Sequence, residues 1–214
     1  MSSARDSGES PHPRYRRRKL LGALALGAVT LFVAEQVREV LTNNCRGAIY
    51  GDPATSLYVL PYEVGTESYL SQSNCDGFHN EMDHFGFDFD MPIGTPFHAA
   101  RAGRVTGVQD RWIDGNHDIT ETNWIEVLHS DGTFAQYLHL TQDGARVEVG
   151  DSVIPGQVIG ISGFTGLTGP REHLHFIVFS EITDTSRISL PVTFRNVDAE
   201  QPLAAGRTYR ALPY

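Results

Sequence analysis

The chain has 214 residues, enough for one domain with appendages. Its 40% of apolar residues, together with 21 Gly and 11 Pro, favour a turn-rich and strand-rich domain over a helical bundle. Residues 1–34 hold 6 of the 17 basic and 2 of the 26 acidic residues, so the rest carries 11 basic against 24 acidic side chains. An acidic body of this kind lacks the basic face that binding to nucleic acid requires.

The N-terminal segment has the pattern of an export or anchoring signal. Residues 1–19 form a polar, basic head that we expect to be disordered, and an apolar run of fifteen residues follows from Leu20 to Ala34. We predict a helix over residues 20–41 with the basic head on the cytoplasmic side. The run is intermediate between a signal-peptide core and a membrane span, so an uncleaved anchor, which we favour, and a cleaved signal both fit. Either way, the body should work in the periplasm or at the cell surface.

The sequence has two cysteines, Cys45 and Cys75. In an oxidising compartment such a pair favours an intrachain disulfide, which would hold the lead-in segment, residues 42–75, against the domain. Two free thiols are the alternative.

The rest of the chain has the pattern of short strands and turns. Phe85, Phe87 and Phe89 alternate with small or acidic residues, which predicts a half-buried strand. An acidic stretch without periodicity, residues 110–123, is interpreted as a long hairpin loop. Further strands are predicted at 57–60, 97–100, 103–109, 124–129, 134–140, 147–149, 152–154, 158–162, 173–179 and 188–194, and around Thr208. We therefore predict a mainly β protein: an antiparallel β-sheet domain at residues 76–180 with a C-terminal β extension at 181–214.

Several metal-ligand side chains fall on these predicted strands. His173 and His175 are two residues apart, so both point to the same face of a strand, and the separation of His84 from Asp88 has the same effect. Two imidazoles and a carboxylate suit a zinc site that keeps one position for water. His139 is a further histidine on a predicted strand.

These motifs, in this order, resemble the lysostaphin/LytM-type zinc endopeptidases that cut cell-wall peptides. The resemblance covers about residues 83–179, including the glycines between the motifs. It implies a compact antiparallel β-sheet domain with a substrate groove, of the lysostaphin-type or barrel-sandwich-like kind. The motifs that carry it are His84-x-x-x-Asp88, Tyr137-x-His139-Leu140 and His173-Leu174-His175-Phe176.

The resemblance also implies a role for each site residue. His84, Asp88 and His175 would bind one zinc ion, while His139 and His173 would be unligated histidines that handle the attacking water and the developing charge. Which of the two does which is left open. The implied activity is hydrolysis of peptide bonds in peptidoglycan stem peptides or cross-bridges.

The remaining candidate residues have simpler interpretations. Asp90 is the rival of Asp88, because it lies on the same strand face, but the spacing of the family favours Asp88. We interpret four other histidines as structural: His79, His98, His117 and His129.

Two departures from the family pattern leave the peptide specificity open. Arg171 and Glu172 separate Gly169-Pro170 from the histidine pair, where the family has Gly-Pro directly before it, and the loop 110–123 is long. A catalytically inactive domain that regulates other wall hydrolases is the main alternative, and hydrolysis of ordinary proteins is a third hypothesis. Because all five candidate site residues are present, we favour the enzyme.

Overall fold

The computed structural model describes residues 47–79, 83–182 and 187–214. The basic head and the predicted helix over residues 20–41 lie outside these ranges, so both stay predictions. Within the ranges there is no α-helix, and therefore none that is long and apolar enough to cross a membrane. The secondary structure here is mainly strand, with short 3-10 turns at Pro53–Thr55 and Ile119–Glu121.

Twelve strands form two sheets in the described part of the chain, and all pairings between these strands are antiparallel. The prediction of a mainly β, antiparallel domain is thus confirmed. The strands are β1 (Glu67–Gln72), β2 (Phe87–Asp90), β3 (Pro96–His98), β4 (Gly103–Gln109), β5 (Trp124–Leu128), β6 (Phe134–Leu138), β7 (Leu140–Ala145), β8 (Ser152–Val153), β9 (Val158–Ser162), β10 (His173–Ile182), β11 (Arg187–Ser189) and β12 (Arg207–Arg210).

The larger sheet has the strand order β12-β1-β2-β10-β6-β5-β4-β8, with β11 paired to β10 as well, and the smaller sheet has the order β3-β9-β7. The core lies on the face of β2 and β10 that carries their aromatic residues. Phe87, Phe89 and Phe176 are almost completely buried, and the ring of Phe194 packs against all three at centroid distances of 5.1–6.0 Å. Phe194 belongs to the predicted C-terminal extension, so this part of the chain contributes directly to the core.

The pairing of β2 with β10 places the predicted site residues side by side. Asp88 is directly opposite His175, and Asp90 is directly opposite His173. Opposed residues of an antiparallel pair project to the same face, so these four side chains share the face of the sheet opposite the phenylalanine core. On the other side of β10, β6 ends at Leu138, opposite His175, and this brings His139 next to the same face.

Some predicted strands differ from those in the structure. Around residues 57–60 the chain makes a single bridge, Tyr58 to Phe194, instead of a strand. At 147–149 it turns, because the Glu148 amide bonds to the Asp151 carboxylate and the Asp151 amide bonds to the Glu148 carbonyl. Conversely, β1 is a strand that the sequence pattern does not predict, because it is a polar segment that is ordered by its two neighbours, β2 and β12.

The disulfide prediction concerns a residue that lies outside the described ranges. Cys75 is not a free thiol, and its backbone amide donates a hydrogen bond of 2.7 Å to the carbonyl of His84. Its predicted partner, Cys45, is not among the described residues. The Cys45–Cys75 bond therefore stays a prediction.

Candidate metal centre and active site

A buried group of two imidazoles and one carboxylate lies where β2 and β10 meet the loop that precedes β2. One ligand-type atom from each of His79, Asp88 and His175 lies within 4.8 Å of the other two. Asp88 Oδ1 is 2.8 Å from His175 Nδ1 and 3.1 Å from His79 Nε2. Zinc ligands lie about 2.0–2.2 Å from the ion and so within about 4 Å of one another. The type and spacing of these donors therefore fit a zinc ion.

The third member, His79, is oriented by its own loop. Its amide donates to the carbonyl of Asp76 at 2.9 Å, and its Nδ1 lies 2.8 Å from the carbonyl oxygen of Ser73. A carbonyl oxygen can only accept, so Nδ1 carries a proton and donates it. Nε2 is left as the ring atom that faces Asp88. A backbone carbonyl behind the ring is the support that metal-binding histidines usually have.

Two further residues shape the centre. Gln72 donates from Nε2 to Asp88 Oδ2 at 2.8 Å and accepts from the Phe78 amide at 2.7 Å, so it links the carboxylate to the loop of His79. Gly86 leaves the space that the rings occupy. A Cβ at this position would lie 2.8 Å from His175 Cε1 and 3.2 Å from His79 Nε2. Any larger residue would therefore push the two imidazoles away from their places.

The electrostatics of the centre favour a positive charge beside Asp88. Burial by itself raises the pKa of Asp88, but hydrogen bonds with His175 and His79, together with the charges of His175 and His173, outweigh burial and hold the pKa well below its usual range. For His79, burial lowers the pKa, but the hydrogen bond with Asp88 and the charge of that carboxylate, with smaller contributions from Ser73 and Asp83, outweigh burial, so the pKa is raised. A buried carboxylate thus attracts a cation, which can be a proton on His79 or a metal ion.

Two more histidines stand beside this group. The ring of His139 is centred 4.8 Å from that of His173 and 6.0 Å from that of His175, and His173 Nε2 lies 3.6 Å from Asp88 Oδ1. The Nδ1 atoms donate to backbone carbonyls, that of His139 to Thr165 at 2.7 Å and that of His173 to Arg171 at 2.9 Å. In the neutral form of each ring, Nδ1 therefore carries the proton, and Nε2 is the nitrogen that can accept another one.

His139 is neutral at physiological pH. Its ring is buried, which is the main reason that its pKa falls to about 3, and the neighbouring His173 and His175 lower the pKa further. A neutral imidazole with a free Nε2 can act as a proton acceptor.

The structure brings together four of the five predicted site residues, namely Asp88, His139, His173 and His175. It does not bring His84 into ligand distance of the group, which contains His79 instead. His79 is one of the four histidines for which the sequence predicts a structural role. The assignment of His84 as a zinc ligand stays a prediction that this geometry does not favour.

The backbone before β2 explains this difference. The strand begins at Phe87, and the residues before it form a turn in which the Gly86 amide donates to the Asp83 carbonyl at 3.0 Å. The alternation of a strand therefore does not fix the direction of the His84 side chain. His79 lies on a loop nine residues before Asp88, and no periodic pattern in the sequence connects the two residues.

The two inserted residues before the histidine pair, Arg171 and Glu172, contact the end of β2 and the residues that follow it. Arg171 forms an ion pair of 2.8 Å with Asp90, and its guanidinium lies 5.6 Å from the centre of the Tyr69 ring. Glu172 accepts a hydrogen bond of 2.9 Å from the amide of Ile93. Asp90 is thus paired with an arginine beside the site and does not belong to the metal-compatible group.

Among the described residues, the remaining histidines that were predicted to be structural, His98, His117 and His129, do not belong to the group. His129 is buried, and its Nδ1 donates to the carbonyl of Ala102 at 2.8 Å. Burial is the main cause that lowers the pKa of His129 to about 4.

We expect His129 to make the fold sensitive to acid. Its folded-state pKa is below the unfolded value of about 6.5, so the unfolded state binds more protons between pH 6.5 and 4. Above pH 6.5 the free energy of unfolding includes the full contribution of neutral His129. It decreases as the pH falls through this window, by about 2–3 kcal/mol at pH 4.5. Urea unfolding at pH 7.5 and 4.5 should show a smaller loss for His129→Gln than for the wild type. His117→Gln, at an exposed position, is the control, and an equal loss in the wild type and both variants would contradict the prediction.

Comparison with known proteins identifies the family of the domain. Residues 82–186 match the model of peptidase family M23. The chain contains a peptidase family M23 domain. The match includes Asp88, His139, His173 and His175, as well as His84, whereas His79 lies just before its first residue.

Curated relatives match the same part of the chain. Peptidoglycan DD-endopeptidase ShyA of Vibrio cholerae is 34% identical over 110 residues, which are 51% of this chain and 24% of the relative. Lysostaphin of Staphylococcus staphylolyticus is 37% identical over 110 residues, 50% of this chain and 21% of the relative. Glycyl-glycine endopeptidase ALE-1 of Staphylococcus capitis is 40% identical over 99 residues, 45% of this chain and 25% of the relative. The match thus spans about a quarter of the length of each relative or less.

Proposed function

We propose that this protein is a zinc-dependent endopeptidase that hydrolyses peptide bonds in the stem peptides or cross-bridges of peptidoglycan. The observation that carries the proposal is the buried group of His79, Asp88 and His175, with His139 and His173 beside it, in an M23 domain. Two relatives are named for cutting peptide bonds, one as a peptidoglycan DD-endopeptidase and one as a glycyl-glycine endopeptidase. These names support peptidoglycan peptides as the substrate class and leave the particular bond open.

In this proposal His79, Asp88 and His175 hold one zinc ion. The two nitrogens and one oxygen are donors that zinc prefers, and Gly86 leaves room for the rings that supply the nitrogens. When bound, zinc would polarise the carbonyl of the peptide bond and lower the pKa of a water molecule.

His139 and His173 would handle protons next to that centre. With Nδ1 donating to a backbone carbonyl, each ring offers Nε2 to accept the proton of a water molecule. The protonated imidazole can then stabilise negative charge on the carbonyl oxygen or give the proton to the leaving amine. The ring of His139 is buried and neutral, so its Nε2 can receive a proton, but the same burial makes the ring a weak base. The proposal therefore does not divide the two roles between His139 and His173.

We also propose that the enzyme works outside the cytoplasm, where peptidoglycan lies. The basic head and the apolar run at residues 20–34 support this location, either as an anchor in the inner membrane or as an export signal.

Digestion of defined wall fragments tests the proposal. The full-length, zinc-loaded protein is incubated with cross-linked muropeptides and with oligoglycine-bridged fragments, and the products are identified by mass. We expect a mass gain of one water per cut bond. A chelator should stop the reaction, and zinc should restore it. If zinc-loaded protein cuts neither fragment, the proposal is wrong. In that case stimulation of a separate wall hydrolase by this protein would favour the regulatory alternative, and cutting of unfolded casein would favour a general protease.

A further inference from the structure

His139 has a backbone conformation that its neighbours must hold. It lies between the end of β6 and the start of β7, and its φ is 70°. This left-handed backbone conformation costs free energy in any residue other than glycine. Its amide donates to the carbonyl of Asn123 at 2.9 Å, and its carbonyl accepts from the amide of Gly163 at 2.8 Å. Its ring donates from Nδ1 to the carbonyl of Thr165. Backbone and ring are therefore fixed by three different residues.

Thr165 connects these supports. It is completely buried, and its hydroxyl accepts a hydrogen bond from the amide of Asn123 at 3.0 Å and donates one to the carbonyl of Leu140 at 2.8 Å. The carbonyl of Thr165 therefore binds the ring of His139. Its hydroxyl binds the backbone after His139 directly, at Leu140, and is connected to the His139 amide through Asn123. Such an arrangement restricts where the carbonyl that receives Nδ1–H can lie.

The side chain of Asn123 completes this support. It is fully buried, accepts from the Trp112 amide at 2.9 Å, and donates to the carbonyls of Trp112, Leu140 and Thr141 at 2.8–3.3 Å. The start of the loop 110–123 is thus tied to the same segment of backbone.

We propose that Thr165 is a positioning residue that fixes the tautomer and orientation of His139. Its hydroxyl holds its own carbonyl in place, that carbonyl takes the Nδ1 proton, and Nε2 is thereby kept unprotonated toward the site. The catalytic consequence rests on the proposed function, whereas the tautomer does not depend on it.

Thr165→Val removes the hydroxyl and keeps the shape of the side chain. We expect kcat to fall about 10–100-fold, the range found for residues that orient an active group from behind, with KM within about 2-fold of wild type and zinc content unchanged. Thr165→Ser keeps a hydroxyl and should restore most of kcat. The matched control is Thr168→Val on the same loop, because the buried Thr168 hydroxyl has no hydrogen-bond partner among the described residues, and its kcat should equal that of the wild type.

Nitrogen-15 NMR of the imidazole groups provides a readout that needs no turnover. In the wild type, Nδ1 of His139 should be the protonated nitrogen, and in Thr165→Val a mixture of tautomers should appear. Protonation at Nε2 in the wild type would overturn the proposal, even if Thr165→Val does not fold. A folded Thr165→Val protein with the wild-type tautomer and wild-type kcat would also overturn it. If the wild type has no peptidase activity, the proposed function fails, and the NMR spectra alone decide the role of Thr165.

Discussion

Replacement of His79 by alanine should remove most of the bound zinc, whereas His84→Ala should leave it in place. The structure puts His79 Nε2 at 3.1 Å from the Asp88 carboxylate and supports the ring from behind through Ser73, whereas His84 is not within ligand distance of the group. Mutation of a residue that only hydrogen-bonds to a metal ligand weakens metal binding about 10–100-fold. Loss of one of the three ligands themselves should weaken zinc binding by at least this factor. Zinc per chain, measured by mass spectrometry after dialysis against a weak chelator, checks this.

His175→Ala is the reference for that experiment. His175 belongs to the ligand set implied by the sequence motif and to the one drawn from the geometry, so either set predicts that this variant loses zinc. Peptidase activity should follow zinc content in the three variants. If His84→Ala loses zinc and His79→Ala keeps it, the ligand set implied by the sequence motif is correct, and the one drawn from the geometry is not.

His139→Ala should keep its zinc and lose most of its turnover. The ring of His139 is not in the metal-compatible group but packs against His173 and His175, and its Nε2 is free to accept a proton. A positioned acid–base group contributes about 10²–10⁴-fold to the rate, so kcat should fall by a factor in that range. Steady-state hydrolysis of a soluble stem-peptide substrate gives kcat, and zinc content is measured on the same sample.

His98→Ala is the matched control for this variant, because His98 is a buried histidine of the smaller sheet that takes no part in the site. It should keep both zinc and turnover. Near-normal turnover in His139→Ala would exclude His139 as an acid–base group, and loss of zinc in it would indicate a role in metal binding.

Sequence alone predicts best where a residue lies on a regular strand. His173, His175 and Asp88 follow strand alternation, and the pairing of β2 with β10 then sets them on one face. The antiparallel, mainly β fold follows from the same alternation and from the turn residues.

The parts that sequence did not reveal depend on contacts between distant segments. His79 reaches the site from a loop that Gln72 and Ser73 hold, and neither contact has a periodic signature. The positive φ of His139 is likewise set by Asn123 and Thr165, which are distant in sequence. Strand β1 is a polar segment whose order depends on its neighbours, so propensity did not identify it.

The most direct test of the metal centre is a crystal structure of the zinc-loaded protein with anomalous scattering measured at the zinc edge. We expect one anomalous peak about 2.0–2.2 Å from His79 Nε2, an Asp88 carboxylate oxygen and His175 Nδ1, with a position left for water. A peak bound by His84 in place of His79, or no peak between β2 and β10, would contradict this account.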